Sequence, residues 1–298
     1  LHTLFPYTTL FRSVVEKTKL WFSISLIIII IGMGFIATKG LNLGIDFKGG
    51  TALTINMNQK FDKSDVDKII DKYAKGEYLS KTINDAKEIE VTVKSDALSA
   101  DKTATMLKEI KTQFKSSTLI SEDTIGASIG SELKSKALVA LFVAMIFMLI
   151  YVGFRFEFKF AASAILALVH DILITITVYA VFQIPVNATF IAAILTVVGY
   201  SINDTIVIFD RIRENQRIMR KATIAEITNT SVTQTMARSI NTVVTVLICI
   251  FSVWVFVPSI RDLSGPLLIG IGVGCYSSIF IASPMWAFLK KRTKKVTA

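Results

Sequence analysis

Six stretches of this sequence are apolar for long enough to cross a bilayer, and no other feature constrains the fold as strongly. They cover roughly 20–37, 137–154, 160–182, 188–209, 239–257 and 263–289. A helix rises 1.5 Å per residue, so about 20 predominantly apolar residues span ~30 Å of hydrocarbon. Inside lipid the backbone must satisfy its own hydrogen bonds, and runs of this length do so as helices. The chain is 52% hydrophobic and 19% charged, where a soluble domain carries about a quarter of its residues charged. The apolar excess is uneven, because 38–135 is polar and Lys-rich. An ordinary cytosolic enzyme, a disordered chain and a disulfide scaffold are all excluded. The expected fold is an α-helical membrane protein of six transmembrane helices with one small α+β domain after the first.

The net charge of +10 would suggest nucleic acid if it lay on the soluble part. From 39 to 134, however, 15 Lys meet 15 Asp and Glu, so that part is neutral. The other 18 Lys and Arg and 8 acidic residues surround the apolar runs. The partner this predicts is the lipid bilayer, not nucleic acid. The N-terminus, the 155–159 and 210–237 loops and the 290–298 tail are basic, while the remaining connections are neutral. The positive-inside rule then puts both termini in the cytoplasm and 38–135 outside it. The organisation expected is a transmembrane helix in 14–37, the extracytoplasmic domain in 38–135, five helices in 136–289 and the tail in 290–298. Residues 1–13 (LHTLFPYTTLFRS) fit nothing that follows and read like a sequencing adapter translated in frame. They are set aside as non-native, and the true start is expected to be missing. Cys249 and Cys275 both lie in apolar runs and are given no role.

Within the polar domain, 51–57 and 88–94 alternate as strands and 118–125 is a third candidate. Residues 62–73 place Val66, Ile69, Ile70 and Tyr73 at helical spacing, and 101–114 repeats the pattern with Met106, Leu107, Ile110 and Phe114. Strands covered by helices on one face predict a ferredoxin-like sandwich. The domain has no His, no Cys and no Gly-rich phosphate loop, so no chemistry is assigned to it.

Chemistry is expected in the membrane, where ionisable groups are costly and functional by default. Asp204 interrupts the fourth span about seven residues before Arg211, roughly 10 Å from its basic end. Asp171, beside His170, lies near the middle of the third. Arg238 opens the fifth, which runs antiparallel to the fourth, so it shares the depth of Asp204 within one or two turns. These three read as a proton relay of protonatable carboxylates with a cationic neighbour. The structural alternative is a polar cluster with Arg238 snorkelling to the headgroups. The charged run Asp210, Arg211, Arg213, Glu214 reads as a solvated helix extension. Gly265, Gly270, Gly272 and Gly274 with Ser277 and Ser278 read as a close-packing surface. No HExxH or Walker A motif occurs, and Gly126-Ala127-Ser128-Ile129-Gly130 fits GxSxG by letter but lies in a domain without His, which leaves metalloprotease, ATPase and serine-hydrolase readings without support.

Two motifs carry a resemblance. Gly44-Ile45-Asp46-Phe47-Lys48-Gly49-Gly50 is similar to the GIDFxGG signature of the SecD and SecF translocase subunits. The run 198–215, VGYSINDTIVIFDRIREN, is similar to the fourth-span signature of the SecF branch. With the six-span layout, the resemblance covers essentially 14–298. It implies a non-enzymatic subunit, in the bacterial cytoplasmic membrane, that works with a SecD-like partner. The pair would use the proton motive force to drive preproteins through the SecYEG channel. The fold implied is half of a resistance–nodulation–division transporter unit. No cofactor or metal is implied, the proton being the coupling ion. Asp204 and Arg238 match residues implicated in proton transport, with Asp171 in a recognisable stretch. Gly44, Asp46, Phe47, Gly49, Gly50, Asn203, Thr205, Asp210 and Arg211 fall on motif positions as structural or coupling residues. The alternatives are a small-molecule or lipid exporter half of the same superfamily, which needs a second six-span half, and a non-transporting membrane scaffold. An intramembrane hydrolase would need a nucleophile–base pair within the apolar runs, and no motif there supplies one.

Overall fold

The structure, a computed structural model, describes residues 13–83, 87–94 and 100–296. The adapter-like stretch therefore lies, apart from Ser13, outside the described residues, as does the end of the basic tail at 297–298. In chain order the elements are α1 (Thr18–Lys39), α2 (Ile45–Lys48), β1 (Gly50–Asn56), α3 (Lys63–Ala74), β2 (Tyr78–Ile83), β3 (Glu88–Lys94), α4 (Ala100–Gln113) and β4 (Thr118–Ile125). Five long helices follow: α5 (Ala127–Arg155), α6 (Phe158–Phe182), α7 (Ala188–Ile218), α8 (Ile224–Phe256) and α9 (Arg261–Ser277). A π-helical turn, Ser278–Ala282, joins α9 to α10 (Ser283–Val296). The chain forms two compact units, one of Leu43–Val139 with Pro185–Ala188 and one of the remainder.

The smaller unit is a four-stranded antiparallel sheet in the order β2-β3-β1-β4. With α3 between β1 and β2, and α4 between β3 and β4, this is the ferredoxin-like βαββαβ path. Alternation explains its core. Leu53 and Ile55 on β1 stand opposite Val91 and Ile89 on β3, and all four are buried with Val66, Ile69 and Ile70 of α3 and Met106 and Ile110 of α4. Thr54, Glu90 and Thr92 point to the opposite, less buried face. The Asp62 carboxylate accepts from Ser64 N at 2.9 Å and caps α3. Strand β2 was not expected. It is an edge strand whose Leu79 is 66% exposed, so it lacks the apolar alternation that marked the other strands.

In the larger unit, the described residues contain six helical runs long and apolar enough to span a membrane, the last being Pro258–Lys291. The central helix is α6, with small residues Ala161, Ser163, Ala164, Ala167 and Ala180 all buried. Neighbours approach where side chains are absent: a Cβ on Gly270 would sit 2.4 Å from Val197 Cγ2, and one on Gly32 would collide with Thr177. Three boundaries differ from expectation. Helix α5 begins at Ala127, ten residues before the apolar run, because the polar turns 127–136 continue it. The supposed 210–237 loop is helical apart from 219–223. Thr223 and Glu226 close a reciprocal capping box that starts α8 there. The sixth span is not one α-helix. Pro284 has no N–H and crowds the carbonyl four residues earlier, and the π turn relieves this, with Ser283 Oγ donating to Ser278 O at 2.9 Å.

Candidate functional site

Helix α6 is buried on most sides, so its adjacent His170 and Asp171 must find partners within the protein. Asp171 is 1% exposed. Its Oδ2 accepts from Ser201 Oγ of α7 at 2.6 Å and from Ser277 Oγ of α9 at 2.9 Å. Its Oδ1 lies 3.1 Å from His170 Nδ1. A carboxylate only accepts, so the imidazole proton sits on Nδ1 while Asp171 is ionised. His170 Nε2 then accepts from Ser25 Oγ of α1 at 2.8 Å. Tyr276, stacked on the imidazole, donates to Trp21 O at 3.0 Å. One buried network thus ties α1, α6, α7 and α9 together.

One turn along α7 from Ser201 stands Asp204, half-buried. Ser239 and Ser278 stand beside its carboxylate and Arg238 acts on it through space. Its Oδ2 is nonetheless buried without a hydrogen-bond partner among the described residues, as is Ser239 Oγ. Buried polar atoms are seldom left in this state, and an ionised one is costly to leave unpaired. Arg238 is exposed and forms no ion pair with Asp204 within 4.0 Å. The adjacent Thr205 shares a 2.8 Å hydrogen bond with Ser278 Oγ of the π turn. Consecutive serines where α9 meets the π turn therefore serve both clusters, Ser277 reaching Asp171 and Ser278 reaching Thr205.

The remaining motif residues do other work. Asn203 is exposed. Asp210 lies 3.5 Å from Arg155. Arg211 bonds Gln234 and Glu214, both at 2.6 Å, and Asn215 bonds Ser231 and Gln234. This extension of α7 is thus pinned to the start of α8, which charge patterning alone did not reveal. In the smaller unit, Asp46 Oδ2 accepts from Ala188 N, the first residue of α7, at 2.7 Å. Gly44 N donates to Val186 O at 2.7 Å, and Phe47 is buried. Gly50 has φ +144, and a Cβ there would meet Val93 O at 2.4 Å; one on Gly49 would meet Ala127 Cα at 2.7 Å. Only glycines admit this turn between α2 and β1.

Sequence reasoning singled out Asp171, Asp204 and Arg238 but took Ser277 and Ser278 as packing residues, and it missed Ser25, Ser201, Ser239 and Tyr276. Packing does hold for Gly270 and Gly274, whereas Gly272 faces open space. The available signal was small hydroxyl residues at helical spacing on spans that also carry a buried acid.

Residues 103–292 match the family model described as protein export membrane protein SecD/SecF, C-terminal, and 34–60 match the SecD/SecF GG motif. The chain is 39% identical over 285 residues to the protein translocase subunit SecF of Sebaldella termitidis, covering 94% of this chain and 92% of that one. It is 38% identical to the Pseudomonas aeruginosa protein of the same description, covering 90% and 88%. Among solved structures it is similar to SecDF, a translocon-associated membrane protein from Thermus thermophilus. The TM-score is 0.85 at 32% identity, and the match covers 93% of this chain but 38% of that one.

Proposed function

This chain belongs to the SecF family of protein translocase subunits, multi-pass membrane proteins, and from that premise we propose that it couples proton movement through Asp204 to protein export. In this reading Asp204 takes up a proton, Arg238 biases its charge, and Asp171 forms a second carboxylate of the relay. The observation that carries it is the buried Asp204 Oδ2 without a partner. A purely structural carboxylate would be expected to have its acceptors filled, as Asp171 has from Ser201, Ser277 and His170. Once protonated, Asp204 becomes a donor, and the neighbouring Ser239 Oγ has acceptor capacity to spare. One charge crossing the membrane potential is worth about 2.3 kcal/mol per 100 mV, enough to shift a two-state equilibrium roughly 50-fold.

A SecD-like partner is supported by the Thermus protein, of which this chain spans 38%. The partner would supply the rest of the unit, and the complex would act on preproteins at the SecYEG channel. The alternation of basic and neutral loops supports cytoplasmic termini with the ferredoxin-like domain outside. The test is preprotein import into inverted vesicles carrying the complex, with and without an imposed proton gradient. Asp204→Asn keeps the size and most hydrogen bonding but cannot ionise. It should abolish the response to the gradient while leaving assembly intact. A full response in that variant would make Asp204 structural and return the chain to the role of a scaffold.

A further inference from the structure

Three guanidinium groups converge where α5 ends, α6 begins and α7 runs on past its apolar stretch. Arg155, Arg213 and Arg217 line a cavity of about 400 Å³, and Glu157 is the acidic side chain among its lining residues. That acid is already engaged by Lys290 Nζ at 2.7 Å. Arg155 reaches Asp210 at 3.5 Å, Arg213 donates to Arg155 O at 3.5 Å, and the Arg217 guanidinium has no hydrogen bond or ion pair among the described residues. Positive charge is therefore concentrated on one concavity with little to neutralise it. A solvated basic face would spread its arginines over convex surface instead.

The surroundings identify what would fill it. Phe160, another lining residue, is 1% exposed, stacked on Trp286 at 4.9 Å and 4.7 Å from Phe209, so part of the wall is rigid and apolar. Phe154 and Phe158, on either side of the α5–α6 turn, are 90% and 74% exposed. Wholly apolar rings exposed where spans end offer surface to lipid chains rather than to water. The geometry points to a binding site for the headgroup phosphate of an anionic phospholipid, with the acyl chains against Phe154 and the apolar surface of α5. Guanidinium forks match phosphate oxygens in pairs, and basic pockets between spans suit anionic headgroups. A zwitterionic headgroup would bring its own cation against the three arginines, and a soluble phosphate would leave Phe154 uncovered.

The test is native mass spectrometry of the full chain extracted from vesicles of phosphatidylcholine with phosphatidylglycerol or cardiolipin. The unmodified chain should retain the anionic lipids selectively. Arg213→Ala with Arg217→Ala should weaken that retention by roughly tenfold or more. Arg220→Ala with Lys221→Ala removes the same charge from the same region outside the cavity and should change retention little. Equal loss in both double variants, or none in the first, overturns the site. So does displacement of the lipid by millimolar inorganic phosphate, which would mark a soluble anion as the ligand. Neither double variant touches Asp204, so failure here leaves the proton reading standing, and failure there leaves this site standing.

Discussion

Replacing Asp46 tests whether the glycine-rich motif holds the start of the helix that carries Asp204. The first backbone N–H groups of a helix have no partner within it. Asp46 supplies one to α7, its Oδ2 accepting from Ala188 N at 2.7 Å. Two effects are superimposed there, a hydrogen bond and a negative charge facing the positive end of a helix. Asp46→Ala loses both, which should cost about 1–2 kcal/mol. Asp46→Asn keeps an acceptor oxygen and loses the charge, so it should cost only about 0.3–1 kcal/mol. If α7 frays locally, 1–2 kcal/mol corresponds to amide exchange roughly five- to thirty-fold faster in its first turn. Hydrogen exchange of the full chain in lipid nanodiscs, read by peptides covering 186–192, measures this. Salt should shrink the gap between Asp and Asn, because the dipole interaction is screened while the hydrogen bond is not. If Ala and Asn accelerate exchange equally, or neither does, the carboxylate does not cap α7 and the motif holds the fold by its glycines alone.

Gly50→Ala should destabilise the smaller unit by about 1–3 kcal/mol or prevent its folding, because φ is +144 and the new Cβ meets Val93 O at 2.4 Å; thermal melts beside Gly126→Ala, which meets nothing within 4 Å, are the control. Ser277→Ala removes one donor from the buried Asp171 and should cost about 1–3 kcal/mol. Combined with Asp171→Asn the cost should be clearly less than additive, as denaturation of the four members of the cycle would reveal. Lys72 and Tyr73 both donate to Glu109 and hold its carboxyl below the usual carboxylate range. Its stabilising contribution is then complete above the unfolded-state value and lost as pH falls through the lower folded value. Lys72→Ala should move the Glu109 titration, followed by NMR of the side-chain carboxyl, upward.

The elements that periodicity revealed are those whose burial is one-sided or complete. β1 and β3 alternate because a single face meets α3 and α4, and α3 and α4 show their apolar stripes for the same reason. Tyr78–Ile83 gave no such signal: an edge strand buries little, and Leu79 faces outward. Apolar length located the spans but not their ends, since hydropathy is blind to polar turns that extend a helix beyond the bilayer. Hydropathy therefore assigns 127–136 to the domain and 224–237 to a loop, although Thr223 and Glu226 have the spacing of the capping box that starts α8.

The site divides along the same line. Asp171 and Asp204 were legible because a carboxylate in an apolar span is too costly to be incidental. Their partners were not, because which hydroxyl reaches which acid depends on how four helices pack. Ser277 and Ser278 make the point most sharply. Consecutive residues on a helix are rotated by about 100°, so neighbours in sequence face different helices. Ser277 meets α6 at Asp171 and Ser278 meets α7 at Thr205. As a pair of small residues they resemble a packing surface, and Gly274 and Gly270, one and two turns earlier, are one. The π turn ahead of Pro284 begins at the second of these serines, where the two acidic clusters lie side by side. Pro284, six residues after Ser278 in a span facing two acids, is the trace of that turn in the sequence, beside the hydroxyl residues at helical spacing.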